Sequence, residues 1–224
     1  MSDLLRNFLQ FLGSMDWPAI AQIAQGVAGI WIAIIATIAL NTWRRQIKAQ
    51  KHIDFIDELT DTIHAFILSM SAPVSSLEFA KIGIDSYAGI HDEHDESEDI
   101  KNPGAVAFIK KRGKSTREDI REHLDAVRPI LSKMKSLVVK GQVLGIKNYS
   151  KCQNACSMLE WSYNQIEAFS SIIGDPHLNW NHPDVQQVLD RVLSIDPERI
   201  ESNLAEQNSE FLLFAREAYD KILK

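Results

Sequence analysis

Residues 17–43 read WPAIAQIAQGVAGIWIAIIATIALNTW, a run of 27 residues without Asp, Glu, Lys, Arg or His. An α-helix rises about 1.5 Å per residue, so this run would be about 40 Å long, whereas the apolar core of a bilayer is about 30 Å thick. Trp17 and Trp43 stand at its two ends, and tryptophan favours the membrane–water interfaces. The alternative is a core helix of a soluble protein, which seldom has so many turns without one charge. The run therefore predicts a transmembrane helix over 17–43.

The charges beside this run predict its orientation. Basic residues crowd its C-terminal side, at Arg44, Arg45, Lys48 and Lys51. On the N-terminal side Arg6 is the one basic residue. Because cationic flanks stay in the cytoplasm, we expect the N-terminus outside and the bulk of the chain inside. With Trp17 and Trp43, the four basic residues form a set of predicted interfacial anchors. A cleavable signal peptide is not favoured, because the apolar run is too long and its basic charge follows it.

The chain on either side of the run divides into a short N-terminal segment and one domain. Residues 1–16 place apolar side chains on one helical face, which predicts an amphipathic segment in the outer interface. Residues 44–224 hold 23 Lys and Arg against 28 Asp and Glu, a net charge of −5. We expect them to form a cytoplasmic domain that does not bind nucleic acid, since acidic domains are poor partners for phosphate backbones. Two cysteines, Cys152 and Cys156, fit a reducing compartment and core packing.

Apolar spacing predicts that the transmembrane helix continues into the cytoplasm. Neither Gly nor Pro occurs between Gly29 and Pro73. Apolar residues recur there at intervals of three and four, at Ile56, Leu59, Ile63, Phe66 and Met70. Pro73 is expected to break or kink this helix, with residues 75–90 forming a shorter one. One rigid helix would then join the membrane to the cytoplasmic domain.

Start and stop signals predict further helices, so the fold class is all-α. Asn102-Pro103-Gly104 indicates a turn, and Ser115 with Glu118 forms a capping box that would open a helix. Pro129 should bend that helix and Gly141 should end it. A weak strand signal makes a small hairpin over 138–146 the alternative.

The C-terminal third shows three more helix patterns. The first runs from Ser150 to Ile173 and is closed by Gly174. The other two begin at His182-Pro183 and at Asp196-Pro197, because proline suits the first turn of a helix. The predicted architecture is a single-pass N-terminal transmembrane helix that continues into a cytoplasmic helical bundle.

Small and polar residues predict an association face inside the transmembrane helix. Successive intervals of three and four align Gln22, Gly26, Gly29, Ala33 and Ala36 on one side, with Gln25 beside them. Small residues let helix backbones approach closely, and glutamine needs a hydrogen-bond partner in lipid. This face predicts a homo-oligomer and, around a shared axis, a pore. The alternative is an ordinary Ala-rich helix whose glutamines lie close enough to the surface to reach water.

Candidate metal and nucleotide sites are weak. His91–Asp99 reads HDEHDESED, which indicates a solvated acidic loop or, alternatively, a weak divalent-cation site. Gly113-Lys114-Ser115 resembles the end of a phosphate loop, but Phe108 stands where its first glycine belongs. We therefore expect no metal and no cofactor. The basic residues around Arg112, from Lys110 to Arg117, would contact acidic lipid headgroups, RNA or water.

Arg117 and His123 are separated by five residues near the start of a predicted helix. This spacing resembles the Arg-x(4–6)-His motif of HEPN ribonucleases. The resemblance implies that His123 acts in acid–base chemistry on a ribose hydroxyl and that Arg117 supports phosphate charge. Glu118 departs from the polar residue that often follows the arginine in that family. Arg45 and His52, with six residues between them, match the same motif beside the membrane.

The order of anchor and helices resembles membrane-anchored effectors of bacterial phage defence, including the HEPN-like accessory proteins of RNA-targeting CRISPR systems. The resemblance implies a protein that assembles in the bacterial inner membrane and damages or depolarises it when its cytoplasmic part is triggered. The first alternative is a membrane-tethered scaffold that recruits a cytoplasmic protein partner. The second is a tethered ribonuclease. The lipid bilayer is an expected partner in each case, and catalysis is not the favoured interpretation.

Overall fold

A computed structural model describes Arg6, residues 17–91 and residues 101–222 of the chain. Its helices, in chain order, are α1 (Trp17–His91), α2 (Pro103–Phe108), a π-helix (Ile109–Gly113), α3 (Lys114–Leu144), α4 (Tyr149–Ile173), α5 (Pro183–Leu193) and α6 (Pro197–Ile222). None of the described residues lies in a strand, so the predicted all-α class is confirmed and the alternative hairpin over 138–146 is wrong. Apart from Arg6 and His91, the predicted interfacial segment 1–16 and the acidic loop His91–Asp99 lie outside the described residues.

The chain forms two compact units, Met1–Lys51 and His52–Lys224, and α1 contributes to both. In the second unit α4 packs against both α3 and α6. Aromatic rings connect α1, α4 and α6, with Phe55 and Phe214 on either side of Tyr149 at centroid distances of 6.3 and 5.9 Å. The second unit therefore has one continuous hydrophobic core.

The C-terminal half of α1 belongs to that core. All five residues of the predicted apolar stripe, from Ile56 to Met70, are fully buried. The stripe continues through Val74, Leu77, Ala80 and Ile84. Salt bridges at its edge join Glu58 to Lys133 at 3.4 Å and to Lys140 at 3.5 Å. The stripe thus contributes to the core of the helical unit, and the two salt bridges join α1 to α3.

Pro73 was expected to break or kink α1. The predicted break is wrong, because the helix runs through Pro73 to His91, and the kink stays a prediction. Proline removes the hydrogen bond to the carbonyl four residues earlier, which costs about 3 kcal/mol in a helix interior. Its neighbours Met70, Val74 and Leu77 are all buried. Full burial of one such side chain contributes about 1.5–3 kcal/mol, so the surrounding packing outweighs the proline.

The prediction that Ser115 caps the start of a helix is also wrong. The helix begins at Pro103 and continues through the π-helix into α3. The Ser115 hydroxyl donates to the carbonyl of Arg112 at 3.0 Å, inside continuous helix. Asn102-Pro103, which was expected to form a turn, opens the helix, since proline is pre-organised for its first turn.

Gly141 does not end α3, contrary to the prediction. The helix contains Pro129, extends to Leu144 and is closed by Gly145, whose φ of +65° suits glycine. Gly141 is buried instead beneath the ring of Tyr149. The Tyr149 hydroxyl donates to the carbonyl of Val138 at 2.8 Å. The missing side chain at position 141 therefore makes room for a tyrosine that fastens α4 to α3.

The three C-terminal helix predictions are confirmed. Gly174 is the C-cap of α4. The His182 side chain accepts a hydrogen bond from the backbone N–H of Asp184 at the start of α5. Asp196 does the same for Glu198 at the start of α6, at 3.0 Å.

We predict that Gly141→Ala destabilises the protein by about 1–3 kcal/mol, because a Cβ there would lie 2.2 Å from Cζ of Tyr149. Alanine otherwise stabilises a helix interior by about 1 kcal/mol relative to glycine. A lower stability of Gly141→Ala would therefore result from the contact with Tyr149 and not from helix propensity. Thermal unfolding of the full chain in detergent, followed by circular dichroism, measures this difference.

Gly145→Asn is the matched control for this prediction. A Cβ at Gly145 meets nothing within 4 Å, and asparagine tolerates a positive φ. We expect it to change stability by less than about 0.5 kcal/mol. A melting temperature of Gly141→Ala at or above that of the wild type would contradict the role assigned to Tyr149.

Candidate functional site

The described part of the chain contains one helix that is long and apolar enough to cross a membrane, the N-terminal part of α1. The described residues bury none of its apolar stretch. Ile30, Ile32 and Ile35 are 63%, 67% and 61% exposed. A helix in the core of a soluble protein would be buried, so the core-helix alternative does not fit this stretch.

The predicted association face is open along its length. Gln22, Gln25, Ala33 and Ala36 are exposed. A Cβ built on Gly26 or Gly29 would meet nothing within 4 Å. Another helix therefore has unobstructed access to the backbone at these two glycines.

Hydroxyl groups on the same stretch are satisfied within the helix. Thr37 donates to the carbonyl of Ala33 at 2.8 Å, and Thr42 donates to the carbonyl of Ile38 at 2.9 Å. In lipid, polar groups need such internal partners because water is absent. Both threonines are therefore compatible with an apolar surrounding.

The predicted interfacial anchors end this stretch. Trp43 is exposed, and so are all four basic residues that follow it, Arg44, Arg45, Lys48 and Lys51. Trp17 is the first residue of α1, and its side chain lies outside the description. A tryptophan beside clustered cations suits a layer of lipid headgroups, in which amphipathic rings and positive charges are favoured.

An exposed apolar row on α1, within the helical unit, was not predicted from the sequence. Leu68, Phe79 and Ile82 are 62%, 73% and 55% exposed, with Ala72 and Ser75 on the same side of the helix. Their intervals of four and three residues are those of a helix–helix seam. The spacing was visible in the sequence, but the buried stripe on the opposite face has the same period and hides it.

Arg117 and His123 lie on different faces of α3. Six residues turn an α-helix through about 600°, which leaves the two side chains about 120° apart around its axis. Arg117 lines a groove between α3 and α4, whereas the half-buried His123 is not part of that lining. The structure does not bring the pair into one pocket, and their catalytic role stays a prediction.

The groove that contains Arg117 is lined by two further arginines. α3 contributes Arg117, Arg121, Leu124 and Arg128, and α4 contributes Asn164, Glu167, Ala168, Ser170 and Ser171. Its volume is about 330 Å³. Arg121 and Arg128 were not predicted as site residues, although their positions four and eleven residues after Arg117 place all three on one face.

The basic residues before Arg117 lie mainly on the π-helix, and Lys110, Lys111 and Arg112 are exposed. The Lys111 ammonium lies 5.7 Å from the centre of the Tyr87 ring, a cation–π contact. Among the described residues no group of histidine, cysteine and carboxylate side chains has the arrangement of a metal site.

Both cysteines lie in the core, as predicted. The pKa of the Cys156 thiol is raised chiefly by a hydrogen bond with Cys152 and secondly by burial. Because the thiolate is the reactive form, this site does not favour nucleophilic chemistry.

Comparison with protein-family models, curated proteins and solved structures finds no match to this chain.

Proposed function

We propose that this chain is a single-pass membrane protein that self-associates and acts at the membrane as a pore-forming or depolarising effector. The observation that carries the proposal is the exposed apolar stretch of α1, from Ala24 to Trp43. Its large side chains are each worth up to about 1.5–3 kcal/mol when removed from water, so insertion into lipid would stabilise the protein by roughly 10 kcal/mol or more. In water the same surface would promote aggregation.

Self-association is supported by the open face of the span. Association of helices within lipid depends on close packing and interhelical hydrogen bonds, because apolar burial supplies no driving force there. Gly26 and Gly29 leave the backbone accessible, and Gln22 and Gln25 offer amide donors and acceptors beside it. Several copies meeting on this face would place glutamines near a common axis.

Control by the helical unit is supported by the way α1 is held there. Glu58 lies between Lys133 and Lys140, and these salt bridges lower the pKa of its carboxyl. Tyr219 of α6 donates a hydrogen bond to Asp57 of α1. A rearrangement among copies of the helical unit would thus act directly on α1, which also contains the span.

A bacterial inner membrane, an external N-terminus, a cytoplasmic helical unit and a role in phage defence complete the proposal. The location and biological role rest on the resemblance in layout, and the orientation rests on the basic residues that follow Trp43. A tethered ribonuclease is less favoured, because Arg117 and His123 do not share a groove.

We predict that Ser209→Cys, on the exposed face of α6, reacts with a membrane-impermeant maleimide only after bacterial spheroplasts are permeabilised. The native thiols give little background because both are buried. Ser2→Cys should react in intact spheroplasts, since we place it on the opposite side. Labelling of Ser209→Cys without permeabilisation would contradict the proposed orientation.

Replacing both Gly26 and Gly29 with Leu should separate the helices, abolish the oligomer and stop leakage of a cell-impermeant dye into expressing cells. The bulky side chains would hold the backbones apart. Crosslinking and dye uptake measure the two effects.

Replacing Ala24 and Ala28 with Leu adds similar bulk at the same depth, about 160–200° around the helix from Gly26. This control should retain both oligomer and leakage. If the glycine variant keeps the wild-type oligomer and leakage, the proposed pore is wrong.

A scaffold is the second candidate function, and the exposed row of Leu68, Phe79 and Ile82 favours it. Such a row, outside the span, suits a cytoplasmic partner helix. On this hypothesis residues 17–43 would serve only as a tether.

Exchange of residues 17–43 for an unrelated apolar helix of equal length separates the two functions. An effector should lose its effect on the growth of expressing cells, because the exchange removes the association face. A scaffold would keep its phenotype after this exchange and lose it in a Phe79→Ser, Ile82→Ser variant. Growth of expressing cells is the measurement, and Leu213→Ser, at a similarly exposed position on α6, is the control.

A further inference from the structure

The groove between α3 and α4 has the features of an anion site. Arg117, Arg121 and Arg128 line it from a single face of α3. Each guanidinium carries a positive charge and five N–H donors. Polar side chains of α4 form the opposite wall, among them Asn164 and Ser170.

Carboxylates within the protein satisfy this positive charge incompletely. Arg128 contacts Asp125 at 2.9 Å and Glu167 at 3.4 Å. Arg121 lies 3.9 Å from the same Asp125, a loose contact. Arg117 makes neither an ion pair nor a hydrogen bond with any described residue. The groove therefore keeps an excess of positive charge, located chiefly at Arg117 and Arg121.

A hydroxyl that makes no hydrogen bond to the described residues lines the same groove. Ser170 is only 4% exposed as a residue, but its Oγ keeps access to the groove that it lines. The Tyr163 hydroxyl, beside Arg128, is buried without a well-formed hydrogen bond. A ligand with acceptor oxygens would satisfy the serine and the free guanidinium together.

Close packing holds Arg117 in position over the end of α4. A Cβ at Gly174 would lie 2.1 Å from Cδ and 2.6 Å from Cβ of Arg117. A Cβ at Gly113 would lie 2.0 Å from the carbonyl oxygen of Ile173. Both glycines thus let the two helices approach, which limits the freedom of the arginine before any ligand binds. Restricting a side chain beforehand reduces the entropy lost on binding.

We propose that this groove binds a small phosphate-bearing ligand, with Arg117 and Arg121 on the phosphate and Ser170 hydrogen-bonded to it. Planar guanidinium groups match phosphate oxygens in bidentate geometry. The volume of about 330 Å³ lies at the lower end of the range for small-molecule pockets. Leu124 and Ala168 supply an apolar surface for the remainder of the ligand. The site does not depend on the proposed membrane function.

Calorimetric titration of the full chain in neutral detergent, with inorganic pyrophosphate and with adenosine monophosphate, tests this site. We expect binding by the wild type and a loss of about tenfold or more in affinity for Arg117→Ala and for Arg121→Ala. Ser170→Ala should weaken binding about three- to tenfold. Arg216→Ala removes the same charge from an exposed position on α6, outside the groove, and should change affinity less than twofold.

The phosphate could belong to a soluble molecule or to a lipid headgroup, and nanodiscs distinguish the two. Equal pyrophosphate affinity in phosphatidylcholine and phosphatidylglycerol discs would indicate a soluble ligand. Weaker pyrophosphate affinity in phosphatidylglycerol discs would indicate that the headgroup occupies the groove. In that case the difference between the two kinds of disc should disappear in Arg117→Ala. Either result supports the site.

Three results would overturn the proposal. The first is an absence of binding of pyrophosphate and adenosine monophosphate in every medium, including the case in which single-stranded RNA binds instead. The second is an equal loss in Arg216→Ala, which would indicate unspecific attraction. The third is a lower melting temperature of Arg117→Ala with unchanged affinity, since Arg117 would then only compensate the carbonyl end of α4.

Discussion

The apolar stretch of α1 has no partner among the residues that the structure describes, and the proposed function depends on this constraint. Its free energy falls on transfer from water to an apolar medium, because exposed Ile and Trp side chains lose their hydration there. The core of the helical unit consists of other residues, including the C-terminal half of the same helix. A lipid bilayer or a further copy of this stretch satisfies the constraint, and the two are compatible.

α1 is one continuous helix that contains both the exposed apolar stretch and the buried stripe. A helix that ended at Pro73 would lose the part of its buried face that Val74, Leu77, Ala80 and Ile84 form. Instead the buried face continues to Ile84, so the packing of the helical unit extends along much of the same helix. The proline is tolerated because the energy of that packing exceeds the cost of one missing hydrogen bond. The C-terminal half of α1 is therefore held by burial within the helical unit.

Features that repeat along the chain were predictable from the sequence, whereas features that depend on distant contacts were not. The apolar stretch, the buried stripe of α1 and the proline-initiated helices follow from periodicity and local backbone preferences. The predictions of a helix start at Ser115 and a helix end at Gly141 were wrong for the same reason. Each carries a valid local signal that tertiary structure overrides, the first by a helix that starts earlier and the second by Tyr149 packing against the glycine.

The arginine groove illustrates the same limit in a functional feature. The spacing of Arg117, Arg121 and Arg128 on one helix was readable, but the wall that faces them comes from α4 and required the structure. The unpaired Arg117 and the buried Ser170 could not be recognised until their neighbours were known.

Charge adds an independent argument for that groove. Residues 44–224 are acidic overall, with a net charge of −5, yet three guanidinium groups converge on one cleft with Glu167 as its one carboxylate lining residue. Like charges in proximity repel, and the acidic residues available elsewhere would have offset them at little cost. The folded chain instead leaves Arg117 without an ion pair to any described residue while packing its stem tightly against Gly174. An arginine that only supported the fold would gain most from an ion pair, so its unpaired state argues for a partner that arrives from outside.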